Sequence, residues 1–116
     1  MAFSSSAQQE IKIEDVKNHV GDSVKLTAKI YGGKYLKSAK GSPTFLDVEG
    51  KYPNAPLTLV IWSNVRSQFK TAPEKLYNDG KVEWITGKIE LYKDKPEIII
   101  HSPEQIYDVV AAPISK

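Results

Sequence analysis

Ser23-Val24-Lys25-Leu26-Thr27-Ala28-Lys29-Ile30-Tyr31-Gly32-Gly33 is the stretch on which the fold turns. Val24, Leu26, Ala28 and Ile30 point one way, and Lys25, Thr27, Lys29 and Tyr31 the other. A period of two is that of a half-buried β-strand, because successive side chains leave a strand on opposite faces. The paired glycines then break or bend it. Upstream, Ile13, Val16 and Val20 share a helical face, and Gly21-Asp22 ends that short helix.

Working downstream, Lys34 to Pro43 reads as a basic loop or a coiled continuation of the strand. Thr44 to Glu49 is a second strand, with Leu46 and Val48 on one face and Phe45 and Asp47 on the other. Pro53 and Pro56 keep Gly50 to Pro56 out of any ladder. Leu57 to Ser63 is almost wholly apolar, as a strand buried on both faces is. Asn64 to Asn78 reads as helix in two pieces. Asn64 caps the first and a Thr71-Ala72-Pro73-Glu74 capping box opens the second. Lys81 to Tyr92 alternates again, with Ile85, Gly87, Ile89 and Leu91 inward and Trp84 outward. Gly87 marks a bend. A tight turn at Lys93-Asp94-Lys95-Pro96 leads into Glu97 to His101, and Ile106 to Val110 pairs at an edge.

Short helix, three strands, helix, two strands is the order of an all-β chain with one or two short helices. It fits a five-stranded closed Greek-key barrel of the oligonucleotide/oligosaccharide-binding (OB) type. Closure removes the open edges that five free strands would have.

The chain has 116 residues, 41% of them hydrophobic and 26% charged, so it has the composition of one globular domain. The barrel is assigned to residues 11–110. Residues 1–10 read as a disordered segment or the remnant of an export signal, and 111–116 as a tail. A cytoplasmic and an exported location fit equally. With no cysteine there is no disulfide framework and no thiolate zinc site. The apolar runs are too short for a membrane helix, so no membrane insertion is expected. Net charge is +2, but residues 24–52 hold six lysines against two acids. A local basic surface attracts an anionic polymer even on a nearly neutral molecule.

The sequence resembles the OB-fold nucleic-acid-binding domains of the tRNA-anticodon and single-strand-binding type. The segments that carry the resemblance are Val20-Gly21-Asp22-Ser23-Val24-Lys25-Leu26, Thr44-Phe45-Leu46-Asp47-Val48 and Leu57-Thr58-Leu59-Val60-Ile61-Trp62. After the helix they continue in Val82-Glu83-Trp84-Ile85-Thr86-Gly87-Lys88-Ile89, Lys95-Pro96-Glu97-Ile98-Ile99-Ile100 and Ser102-Pro103-Glu104-Gln105-Ile106. The resemblance implies a ligand face on the outside of the second and third strands. That face would hold Phe45, Asp47 and one side of Leu57–Trp62, with rims at Lys34–Ser42 and Lys93–Lys95.

Lys29, Tyr31, Lys34, Tyr35, Lys37, Lys40, Phe45, Lys51 and Tyr52 interleave cations with aromatic rings. Single-strand binders need cations to follow phosphates and rings on which bases stack. A solvated strand face has the same composition. From the phase of the first strand, Lys29, Tyr31, Lys34, Tyr35, Lys37 and Phe45 are expected on one side of the barrel. Trp62 suits either rim packing or stacking, and Arg66 either a phosphate grip or a surface ion pair. Trp84 is expected outside the barrel, under a terminal segment. His19 and His101 have no partner at metal-ligand spacing, so neither a metal nor another cofactor is expected. No catalytic constellation is present, and the reading is a non-enzymatic module for single-stranded DNA or RNA. The alternative is an exported domain for an oligosaccharide, a small cation or a protein partner.

Overall fold

The structure is a computed structural model that describes residues 8–51 and 54–109. A short strand β1 (Gln9–Glu10) precedes a 3₁₀ helix (Ile13–His19) and the long strand β2 (Ser23–Tyr35). Then follow β3 (Thr44–Val48), β4 (Leu57–Ile61), the one-turn helices α1 (Ser63–Arg66) and α2 (Pro73–Leu76), and β5 (Lys81–Tyr92). The described chain ends with β6 (Lys95–Ile99), a 3₁₀ turn (Pro103–Gln105) and β7 (Ile106–Asp108).

The strands pair in the order β2-β3-β4-β6-β5, and β5 returns to β2. All pairs are antiparallel except β4 with β6. This is a closed five-stranded barrel with the OB topology. Its interior is the inward phase of every strand. Val24, Leu26, Ala28 and Ile30 from β2 meet Leu46, Val48, Leu57, Leu59, Ile85, Ile89 and Ile98, each at most 2% exposed. β5 serves two partners by bending at Gly87, which has φ +150°. Up to Lys88 it pairs with β2, and from Ile89 with β6.

The bend leaves free edges, which short strands fill. β7 pairs with Glu83–Ile85 of β5, and β1 runs parallel to Val24 and Lys25 of β2. Gln9 and Glu10, set outside the barrel by the sequence reading, are therefore part of the sheet, while residues 1–7 and 110–116 lie outside the described residues.

Three other expectations are corrected. Leu91 is 50% exposed, because β2 begins opposite Lys88 and no described residue covers the overhanging β5–β6 hairpin. Val20 is 42% exposed, because the first helix is 3₁₀. Its three-residue turn aligns Ile13 with Val16 and not with Val20. Neither Asn64 nor Thr71 caps a helix. The cap positions belong to Trp62 and Ala72, without side-chain bonds, and Glu74 is engaged elsewhere. Among the described residues, no helix is long and apolar enough to cross a membrane.

Candidate functional site

The outer face of the barrel begins with a register shift. β2 pairs with β3 at Ile30↔Val48 and then at Gly33↔Leu46, so one extra residue sits in β2 between these pairs. Such a bulge reverses the phase of everything beyond it. Directly opposed residues share a face. Lys34 therefore joins Phe45 outside, and Tyr35 joins Thr44, which is fully buried. The backbone comes close here. A Cβ on Gly33 would lie 1.6 Å from the Phe45 carbonyl oxygen, so only glycine fits.

The single face expected for Lys29, Tyr31, Lys34, Tyr35, Lys37 and Phe45 is thus not what the structure shows. The strand period holds to Tyr31 and is broken by the bulge. Tyr35 turns toward the barrel mouth, where the Arg66 guanidinium lies 3.5 Å from its ring centroid. Arg66 donates to Thr44 Oγ1 at 2.9 Å and to both carboxylate oxygens of Glu74, at 2.6 and 3.1 Å. The paired carboxylate raises the Arg66 pKa, and the Arg66 hydrogen bond holds the Glu74 carboxyl below its ordinary value. Arg66 is committed to clamping α1 and α2 over β3, and its fork is already filled by Glu74.

Across β2, β3, β4 and β6 one outward row reads Lys34, Phe45, Val60, Ile99. Val60 is 2% exposed, so the row has a packed apolar floor. Trp62 continues the outward phase of β4 and is 39% exposed. Its six-membered ring lies against Gly41, where an added Cβ would come within 2.8 Å. Ser63 N–H donates to the Gly41 carbonyl at 3.3 Å, which ties the β2–β3 loop to this edge. That loop exposes Lys37 and Lys40. His101 continues the outward phase of β6 beyond Ile99 and is exposed.

The next row down is different in sign. Asp47, Thr58, Glu97 and Glu90 stand opposite one another across β3, β4, β6 and β5. Burial, and then repulsion from Glu90, pushes the Glu97 carboxyl above the ordinary carboxylate range. Like charges directly opposed across a ladder repel. Beyond this row the hairpin exposes Tyr92, with the Lys93 ammonium 5.4 Å from its ring centroid.

The remaining candidates scatter. Lys29 is exposed on a different wall, opposite Val82 of β5, and its N–H donates to the Glu49 carboxylate at 2.8 Å. Tyr31 packs on Gly80. Lys51 lies in the β3–β4 loop, at the other barrel end from Lys37 and Lys40. Tyr52 lies outside the described residues. Of the sequence candidates the structure brings together Lys34, Phe45 and Trp62, with Lys37 and Lys40 above them. Val60 belongs to the side of Leu57–Trp62 expected on this face, whereas Ile99 and His101 were missed, although the alternation within β6 would have placed them there.

Trp84 does lie outside the barrel. It pairs in register with Tyr107 of β7, ring centroids 6.3 Å apart, and the Lys25 ammonium sits 4.6 Å from its ring centroid. No family model matches the chain, and comparison with curated proteins gives no match. Among solved structures, a crystal structure of a chain assigned as an aspartyl-tRNA synthetase from Leishmania major Friedlin is similar, at 8% identity and a TM-score of 0.49. The match covers 88% of this chain and 21% of that one. Nothing about a ligand follows from a likeness of that size.

Proposed function

We propose that this chain is a non-catalytic OB-fold binding module that takes single-stranded DNA or RNA with little sequence preference. The observation that carries the reading is the cross-strand pair of Lys34 and Phe45 on the outer face, over a packed floor and beside Trp62. A cation next to a half-buried ring and an exposed indole supplies a phosphate contact and a stacking surface together. Lys37 and Lys40 above the pair extend the positive potential along the rim. The contacts available are to phosphates and ring faces, which every nucleotide offers, so little base discrimination is expected.

The test is anisotropy of a labelled oligothymidylate at two salt concentrations. Phe45→Ala should weaken binding by about 1–3 kcal/mol, the worth of one stacked base. Lys34→Ala should flatten the slope of log K against log salt by about 0.7, one phosphate contact on a single strand. A parent protein that binds no oligonucleotide at low salt would end this reading. The row of Asp47, Glu97 and Glu90 favours a second one in that event, a non-nucleic ligand such as a cation-bearing protein partner.

A further inference from the structure

β2 carries an outward stripe that the barrel does not confine to one wall. Lys25, Thr27, Lys29 and Tyr31 are its outward phase before the bulge, and Lys34 is its outward residue after it. The first part of the stripe faces β5, where Thr27 stands opposite Trp84, and Trp84 opposite Tyr107. The last part faces β3, where Lys34 stands opposite Phe45. One strand thus joins two aromatic surfaces on different walls. No Asp or Glu occurs between Asp22 and Asp47, so the stripe and the loop after it carry no carboxylate of their own. Two carboxylates reach the stripe from other strands and loops: exposed Glu10 of β1, in register with Lys25, and Glu49, which accepts from the Lys29 N–H. The route across β3, β4 and β6 toward the hairpin instead meets Asp47, Glu97 and Glu90.

We infer that a bound single strand follows β2 lengthwise, from the Trp84–Tyr107 pair with Lys25 and Lys29 to the Phe45–Trp62 end with Lys34. This inference rests on the nucleic-acid reading above and adds a second stacking surface to it. Charge favours this path: Lys25, Lys29 and Lys34 recur along β2 and outnumber the neighbouring Glu10 and Glu49, while the transverse path places phosphates over Asp47, Glu97 and Glu90. From Lys25 to Lys34 the strand rises about 30 Å, room for several nucleotides of a single strand. The Lys25 ammonium, now over the Trp84 ring, swings to a phosphate and frees the ring for a base. The bulge keeps the stripe continuous, because it turns Lys34 outward where an unbroken period would have turned it in.

The experiment uses Trp62→Phe, which leaves Trp84 as the one indole, and an oligothymidylate of about 12 nucleotides, within the site sizes of this fold. Trp84 emission should fall with the same midpoint as the anisotropy change. In the parent background, Lys25→Ala and Tyr107→Ala should each weaken that oligonucleotide at least about fivefold, the low end for one stacked base. Their urea midpoints report that both variants are folded. Unchanged Trp84 emission on saturation, with parent-like affinity in both variants, would overturn the lengthwise path and leave the Phe45 face standing. No binding to the parent at low salt would remove both readings together.

Discussion

Replacing Gly33 by alanine tests the geometry that sets the outer face. Gly33 is not in the left-handed region, so its backbone conformation is open to alanine. The obstacle is steric, since the new methyl would stand 1.6 Å from the Phe45 carbonyl oxygen and 2.8 Å from the Leu46 Cα. Separating these atoms to ordinary contact means opening β2 from β3 by well over an ångström. The pairs Gly33↔Leu46, Lys34↔Phe45 and Tyr35↔Thr44 lie within that opening. Two or three ladder bonds at about 1 kcal/mol each, with some loss of packing, give a cost of about 2–4 kcal/mol. Gly21→Ala is the control. Gly21 has φ +93° and nothing within 4 Å of an added Cβ, so its cost is purely conformational, about 1 kcal/mol. Urea unfolding followed by tryptophan emission measures both. A Gly33→Ala midpoint equal to or above that of Gly21→Ala would refute the close approach and the register built on it.

Two further outcomes follow from the ionisable groups. Glu74 is held below its ordinary pKa by Arg66, so it contributes stability above the unfolded carboxylate pKa, and that contribution is lost as pH falls through the folded value. Glu74→Gln should therefore flatten the acid limb of stability against pH while lowering the neutral plateau, as read by urea midpoints across the acid range. Burial, with a smaller push from Glu83, raises the Tyr77 phenol to about 12. A raised phenol favours the fold below the unfolded value near 10 and loses that preference as pH rises toward 12. Tyr77→Phe should remove one late step from the absorbance titration of phenolate and reduce the loss of stability in that alkaline window.

The barrel was legible wherever burial follows a simple period. Val24 to Ile30 lie inside as their alternation says, and Ile85 and Ile89 follow across the bend at Gly87. Trp84 falls out of phase with them and lies outside, beside the last strand. The face was less legible, because its composition depends on a bulge. Two adjacent glycines announce a bend but do not say that one residue is inserted, and that residue decides whether Lys34 or Tyr35 faces out. Arg66 shows a different limit. Its partners Glu74, Thr44 and Tyr35 come from three elements, and only the closed fold brings them together. The helix caps failed for a related reason. Glu74 has a capping spacing from Thr71, but the bidentate bond to Arg66 takes its carboxylate.

The parallel contact between β4 and β6 places Lys95–Ile99 in the middle of the sheet, between strands made earlier. During synthesis β4 must therefore wait, with its inward Leu57, Leu59 and Ile61 uncovered on one side. Residues 62–94 separate β4 from β6 in the chain, a delay of roughly 2–7 s at ~5–20 residues per second. Once β5 is also made, its second half and β4 present the two edges of an open slot shaped for one apolar strand. Ile98 enters that slot completely buried, with Ile100 beyond it. The closing strand is thus the point at which this small barrel is open to exchange between copies.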